Sequence, residues 1–273
     1  STEGPIGQAV RRYCLKHGYA FTTSFHTRFP EYVRERVPIS LRFTYPLIRR
    51  FHDPAFRTLV PTQTLKEDLQ RRGFRHLQVW GRGVDTVLFN PLRRRETAWP
   101  RPLLLNVGRV APEKNLDAFL SLDVPGTKVV VGDGPQLKEL QSRYPQAVFP
   151  GVRFGGELAD FYAAADVFVF PSLTDTFGLV MLESIASGTP VAAFPVTGPL
   201  DVLQPNITGV IDNDLAAAVA GALRLDRNAC REAAMNRRWP VVATQLLQAL
   251  VPVNSDKFEA VKQLQWENQV IPV

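Results

Sequence analysis

Asp175 and Glu183 are the only ionisable side chains between Val167 and Val191, in the run VFVFPSLTDTFGLVMLESIASGTPV. A helix pattern from about Leu179 to a Gly188-Thr189-Pro190 stop sets Glu183 among Leu179, Val180, Met181, Leu182, Ile185 and Ala186. A helix that is apolar on nearly every face is buried, and an ionised carboxylate there is costly unless hydrogen bonds from the protein or a ligand meet it. Glu183 therefore points to a ligand site. Just before it, Phe177-Gly178-Leu179 can form an anion cradle, because glycine allows close backbone approach and the first amides of a helix lack intrahelical partners. Asp175 would lie beside whatever the anion carries, although Asp175 or Thr176 would serve equally as a plain helix cap.

A second cluster follows the apolar strand Leu103 to Val107. Arg109 comes directly after it and Lys114 five residues later, before a helix from Asn115. Two fixed cations beside helix-start amides suit a phosphate. At an effective dielectric near 20, a charge ~4 Å away contributes on the order of 4 kcal/mol of attraction before desolvation. Arg109 and Lys114 could also be a surface pair with no ligand. Gly132-Asp133-Gly134-Pro135 opens another helix after a strand, weaker as a signal. His26 ends an apolar strand from Phe21 to Phe25; a lone histidine there is either structural or aimed at a ligand.

These residues need a scaffold that collects strand ends. From Leu103 on, strands 103–107, 128–131, 167–170 and 191–194 alternate with helices near 115–121, 135–143, 157–165, 179–187 and 213–224. That alternation predicts a doubly wound parallel sheet, whose ligands bind beyond the carboxyl ends of the strands. Gly108-Arg109, Gly132-Asp133-Gly134 and Ser172 to Phe177 all fall there. Earlier in the chain, Phe21 to Phe25 and Arg57 to Val60 read as strands. Val33 to Phe51 reads as helical with breaks near Pro38 and Pro46, and Thr64 to Arg72 as a helix with a Thr64/Glu67 capping box. Gly81 to Asp85 and the Pro- and Arg-rich stretch Pro91 to Pro102 read as a connection, with Arg93-Arg94-Arg95 as a solvated basic linker. After Trp239 come a helix Val241 to Leu250 and an amphipathic tail.

With 45% hydrophobic and 21% charged residues the chain folds rather than staying disordered. No apolar run reaches the ~18 residues of a membrane span, and the start lacks a signal-peptide pattern, so a cytoplasmic setting is expected. Cys14 and Cys230 are far apart and only four histidines are present, so no disulfide framework and no metal site is expected. The net charge of +6 is uneven: residues 1–100 hold 18 Lys and Arg against 8 Asp and Glu. That excess fits solvated helix faces, or attraction to an anionic membrane surface or an acidic substrate. No nucleic-acid motif accompanies it, and no nucleic-acid partner is expected.

GRVAPEKN (108–115), VGDGP (131–135), FPG with LADFYAAADVFVFPS (149–172) and DTFGLVMLESIASGTPVAA (175–193), in this order, resemble the carboxyl domain of retaining glycosyltransferases of family 4. The resemblance covers roughly residues 20–250. It implies an α/β protein of GT-B fold, two Rossmann-like domains with parallel sheets facing across a cleft, the amino-terminal one incomplete because Ser1 to Pro5 matches a mid-domain segment. Residues 1–90 would be the partial acceptor-side domain, 91–240 the nucleotide-sugar domain, and 241–273 a crossover helix and tail.

By position, the resemblance implies that Arg109 and Lys114 hold a donor diphosphate and that Phe177, Gly178 and Leu179 touch phosphate and sugar. Glu183 would bind ribose hydroxyls, the backbone at Arg153 the nucleobase, and His26, within SFHTRF, the transferred sugar. Asp175 opens a D-x7-E version of the family's E-x7-E motif. His26 and Asp175 would be the catalytic residues, and no metal or cofactor is implied beyond a GDP- or UDP-linked sugar as donor. The implied reaction is retaining hexosyl transfer, of mannose or glucose type, to a hydroxyl of a lipid or glycan acceptor, with contact to an anionic membrane. The alternatives are a catalytically incomplete nucleotide-binding module and a peripheral membrane-binding protein.

Overall fold

A computed structural model describes residues 3–26, 30, 40–173 and 177–251. The chain divides into two compact units: one holds residues up to Gly81 and from Ala243 on, the other Arg82–Val242. The division falls within a helix, Trp239–Ala249.

The larger unit is a six-stranded, wholly parallel sheet. Its strands are β4 (Leu103–Val107), β5 (Thr127–Val131), β6 (Val148–Gly151), β7 (Val167–Phe170), β8 (Val191–Ala193) and β9 (Gly209–Ile211), in the order β6-β5-β4-β7-β8-β9. The order turns back between β4 and β7, the kind of switch point at which such sheets bind ligands. Side chains alternate between two cores. Leu103, Leu105, Val129, Val131, Phe168 and Phe170 enter one with Tyr162, Met181 and Ile185, while Leu104, Val130, Val167 and Val169 enter the other with Phe119, Leu140 and Val219. Burial on both faces accounts for strands that read as unbroken apolar runs rather than as alternation.

Helices α4 (Leu116–Leu120), α5 (Leu137–Arg143), α6 (Gly155–Ala164), α7 (Leu179–Ala186), α8 (Thr197–Val202), α9 (Leu215–Ala222) and α10 (Arg227–Met235) connect these strands and follow them. Strands β6 and β9 and helices α8 and α10 are additions to the sequence expectation. β6 reads VFPG, and its proline is tolerated because the strand lies at a sheet edge, where one face of the ladder is unpaired.

The smaller unit has a three-stranded parallel sheet, β1 (Thr22–Ser24), β2 (Arg57–Val60) and β3 (Leu77–Val79), in that order. Around it lie α1 (Pro5–His17), α2 (Leu41–His52) and α3 (Gln63–Arg71), with a core of Phe25, Tyr45, Ile48, Val60, Leu65, Leu69 and Phe74. Two expectations are corrected here. α2 runs through Pro46 without ending: the carbonyl deprived of a donor belongs to Arg42, which is exposed, so water can take its place. The cap of α3 is Thr62, whose hydroxyl accepts from the Leu65 amide at 3.2 Å, rather than Thr64. The break expected near Pro38 and the tail beyond Val251 lie outside the described residues.

The stretch Pro91 to Pro102 is not a solvated linker. Arg93 reaches Asp160 at 2.8 Å and the Gly156 carbonyl at 3.1 Å, and Arg94 and Arg101 both reach Asp166. The segment is thereby sewn onto α6 and the turn before β7.

Candidate functional site

Beyond the carboxyl ends of β4, β5 and β6 lies a cleft of ≈270 Å³ lined by Val107, Gly108, Arg109, Val131, Gly132, Asp133, Val152 and Arg153. Its walls are backbone loops zipped together by glycine. The Gly108 amide donates to Val131 O at 3.0 Å, the Gly132 amide to Gly151 O at 3.0 Å, and the Val110 amide to Asp133 O at 2.9 Å. A Cβ on Gly132, at φ 147°, would lie 1.8 Å from the Gly108 carbonyl oxygen, and one on Gly134 2.3 Å from that of Val110. Any larger residue would push the loops apart, so these glycines are needed for the cleft itself.

Two cations meet there. Arg109 is 68% exposed and 3.8 Å from the Glu113 carboxylate. A long, exposed pair of this kind contributes about 0–1 kcal/mol, so its guanidinium can be recruited by an anion at small cost. Arg153 bonds the carbonyl of its neighbour Val152 at 2.9 Å and lies 3.6 Å from Glu157. The structure thus brings Arg109 and Arg153 together. Lys114, Phe177, Gly178, Leu179 and Glu183 do not line this cleft.

Lys114 ends a 3-10 turn, Pro112–Lys114, that closes on Asn115 in the left-handed region at φ 51°. That loop is tied to the segment after β7: Ser172 Oγ donates to Glu113 O at 3.1 Å, and Asn115 Nδ2 to Pro171 O at 3.1 Å. Strand end and helix start are therefore fixed to one another on both sides of the switch point.

α7 begins on Gly178, at φ 74°, where a Cβ would fall 2.8 Å from Met181 Cε and 3.2 Å from Phe170 Cζ. Phe177 packs against the core, while Leu179 is 50% exposed, contrary to the all-round burial expected of this helix. One turn on, Glu183 is half-buried, and it does have a protein donor: Tyr162 Oη at 2.8 Å from Oε2. Burial pushes its carboxyl above the usual carboxylate range, and the Tyr162 bond pulls the other way. Tyr162 was not singled out in the sequence. A tyrosine on an otherwise apolar helix must find a partner for its hydroxyl, and that is the signal which could have found it.

His26 follows β1 in the smaller unit. Its ring centre lies 5.6 Å from that of Trp80, which follows β3, so two aromatic side chains with polar nitrogens share the carboxyl end of that sheet. Asp175 lies outside the described residues.

Fold and site together define a doubly wound domain with glycine-walled loops and arginines beyond the carboxyl ends of its strands, accompanied by a second Rossmann-like set of parallel strands. Family models agree. "Glycosyl transferases group 1" matches residues 101–226 and "Glycosyltransferase Family 4" residues 1–88. A GDP-mannose-dependent alpha-mannosyltransferase of Mycobacterium tuberculosis is 38% identical over 228 residues, which cover 77% of this chain and 60% of that protein. The chain thus spans about three fifths of the length of that curated relative.

Among solved structures, a sucrose-phosphate synthase from Thermosynechococcus elongatus is similar at TM-score 0.68 and 22% identity over 96% of this chain and 78% of that one. Anabaena HepE in complex with UDP and glucose is similar at 0.66 and 16%, over 89% and 74%. The chain belongs to the glycosyltransferases of family 4 type and has their GT-B fold. No helix among the described residues is long and apolar enough to cross a membrane.

Proposed function

We propose that this chain carries the donor half of a glycosyltransferase that moves a hexose from a nucleotide diphosphate sugar to a hydroxyl, with retention at the anomeric carbon. The observation that carries this reading is the cleft at the ends of β4, β5 and β6, where Arg109 and Arg153 stand over loops whose glycines admit a ligand to the backbone. The donor would be GDP- or UDP-linked. The mannosyltransferase relative, named for its dependence on GDP-mannose, favours the guanine nucleotide and mannose.

Breaking the bond between the anomeric carbon and the diphosphate oxygen builds negative charge on the diphosphate and positive charge on the sugar. Arg109, Lys114 and the first amides of α7 would stabilise the former by fixed electrostatics. Asp175 would offset the latter and His26 would hydrogen-bond the sugar. The acceptor hydroxyl's proton would pass to a phosphate oxygen on the same face, so no separate general base is required. Glu183 would accept hydrogen bonds from the ribose. The acceptor, a lipid or glycan hydroxyl, and the division of labour between residues 1–90 and 91–240 rest on the family resemblance.

The test is calorimetric titration with GDP and UDP, then GDP-mannose and UDP-glucose, followed by transfer assays of Arg109→Ala and Lys114→Ala. One nucleotide should bind, and each substitution should remove most transfer. No binding of any of the four, or activity that survives both changes, would sink the assignment.

A second reading, contact with an anionic membrane, is favoured by one surface. On α2, Phe43 is 75% and Leu47 69% exposed, with exposed Arg42 and Arg50 beside them and no acidic residue on the helix. Co-sedimentation with anionic but not zwitterionic vesicles, reduced in Phe43→Ser/Leu47→Ser, is the expected result; equal sedimentation of both proteins refutes it.

A further inference from the structure

We propose that Tyr162 is a positioning residue for nucleotide recognition: its hydroxyl holds the Glu183 carboxylate in the orientation that receives the ribose hydroxyls. The inference rests on the reading of Glu183 as the ribose anchor and names the group that makes it one. Glu183 is the single charged residue of α7, so the helix itself offers nothing to orient it. The donor comes from α6, 21 residues earlier in the chain, with Tyr162 Oη 2.8 Å from Glu183 Oε2. A ribose presents two neighbouring hydroxyls, and a carboxylate answers them only if its plane is set. With Oε2 anchored by a phenol, rotation about the last side-chain bond is restricted and Oε1 keeps its acceptor capacity.

The phenol is itself held. Tyr162 is wholly buried, and its ring packs edge-to-face with Phe89 and tilted against Phe168, each with centres 5.6 Å apart. Its carbonyl accepts from Thr189 Oγ1 at 2.7 Å, and that hydroxyl in turn accepts from Arg227 Nη2 at 3.0 Å. Position is therefore fixed from the backbone outward, as a supporting group requires. Burial, and then the charge of Glu183, keep the phenol protonated far above neutral pH, so it is the donor of the pair whenever Glu183 is ionised.

A merely structural role would leave discrimination between ribose and deoxyribose untouched, and the experiment reads that. Dissociation constants of GDP or UDP, whichever binds, and of its 2′-deoxy form are measured by calorimetry for the wild type, Tyr162→Phe and Glu183→Gln. Tyr162→Phe should weaken the ribonucleotide about tenfold, the loss expected of one hydrogen bond to a charged group, and leave the deoxy form nearly unchanged. If Glu183→Gln abolishes the preference for ribose while Tyr162→Phe keeps it, the proposal is overturned and the reading of Glu183 stands. If Glu183→Gln also keeps the preference, Glu183 is no ribose anchor and the proposal falls with that reading. Should Tyr162→Phe not fold, 3-fluorotyrosine at position 162 leaves the ring in place and changes the acidity of the donor. Its preference ratio should then differ from the wild type, and an identical ratio overturns the proposal.

Discussion

Arg94, Arg101 and Arg227 sit at the amino ends of β4 and β7, and Arg109 and Arg153 at the carboxyl ends of β4 and β6. The first three each bond backbone carbonyls of the protein. Arg227 bonds the carbonyls of Ala163, Ala165 and Ser187 and the Thr189 hydroxyl, Arg94 the carbonyls of Ala163 and Ala165, and Arg101 that of Ala164. Together they take up the last carbonyls of α6, where cations suit both the orphan acceptors and the helix dipole. Asp166 balances two of them and accepts the Leu103 amide at 2.7 Å. Burial alone would raise its carboxyl, yet that amide and the two guanidinium groups hold it below the usual range. At the other end, Arg109 and Arg153 make bonds within their own loops and stand over a cleft. The same residue type is a structural clamp where it gathers carbonyls from a helix end, and on the proposed reading a ligand group where its partners lie within its own loop.

The largest effect is expected from Gly132→Ala, whose Cβ would strike the Gly108 carbonyl oxygen. A loss of ~3 kcal/mol or more in urea unfolding, with nucleotide binding, is expected; a tolerated alanine would mean that the carboxyl-end loops are not rigid.

Arg227→Ala strands several buried carbonyls and should cost about 2–4 kcal/mol in the same assay. Arg109→Ala should stay within ~0.5 kcal/mol of the wild type in stability and instead weaken nucleotide binding tenfold or more. If Arg109→Ala melts early, or Arg227→Ala binds poorly while fully folded, the two ends are not different in kind.

Smaller still is a pH effect. Glu183 carries a folded-state pKa above its usual value. Its contribution to stability is present below the unfolded pKa and is lost as pH rises through the folded one. If Glu183 is the ribose anchor proposed above, binding needs its ionised form and runs the other way, so nucleotide affinity should fall on acidification at a pH above that of an ordinary glutamate. Calorimetry across pH checks this, and Glu183→Gln should flatten the profile.

The smallest effect is chemical. Cys230, on α10 with Arg227, is fully buried, and burial pushes its thiol up to about 12. Alkylation at neutral pH should spare it in the wild type and reach it faster in Arg227→Ala; equal rates would show that the clamp does not hold α10 in place.

Much of this was legible in the sequence for local reasons. Strands β4, β5, β7 and β8 announced themselves as short apolar runs, and the glycines of 108, 132 and 178 marked the loops at their ends. Glu183 stood out because it was one charge in an apolar helix. What was missed had weak local signals: β6 contains a proline and a glycine, β9 has three residues, and the arginines of 93–101 look like any solvated basic stretch.

Sequence by itself determined the parallel sheet and the places where a ligand could meet it, since strand period, glycine and proline act over a few residues. Only the tertiary structure decided which arginines are spent and that Tyr162 answers Glu183. Those hydrogen bonds join residues far apart in the chain, 72 positions for Arg94 and Asp166, and whether a donor is consumed depends on what the fold brings to it.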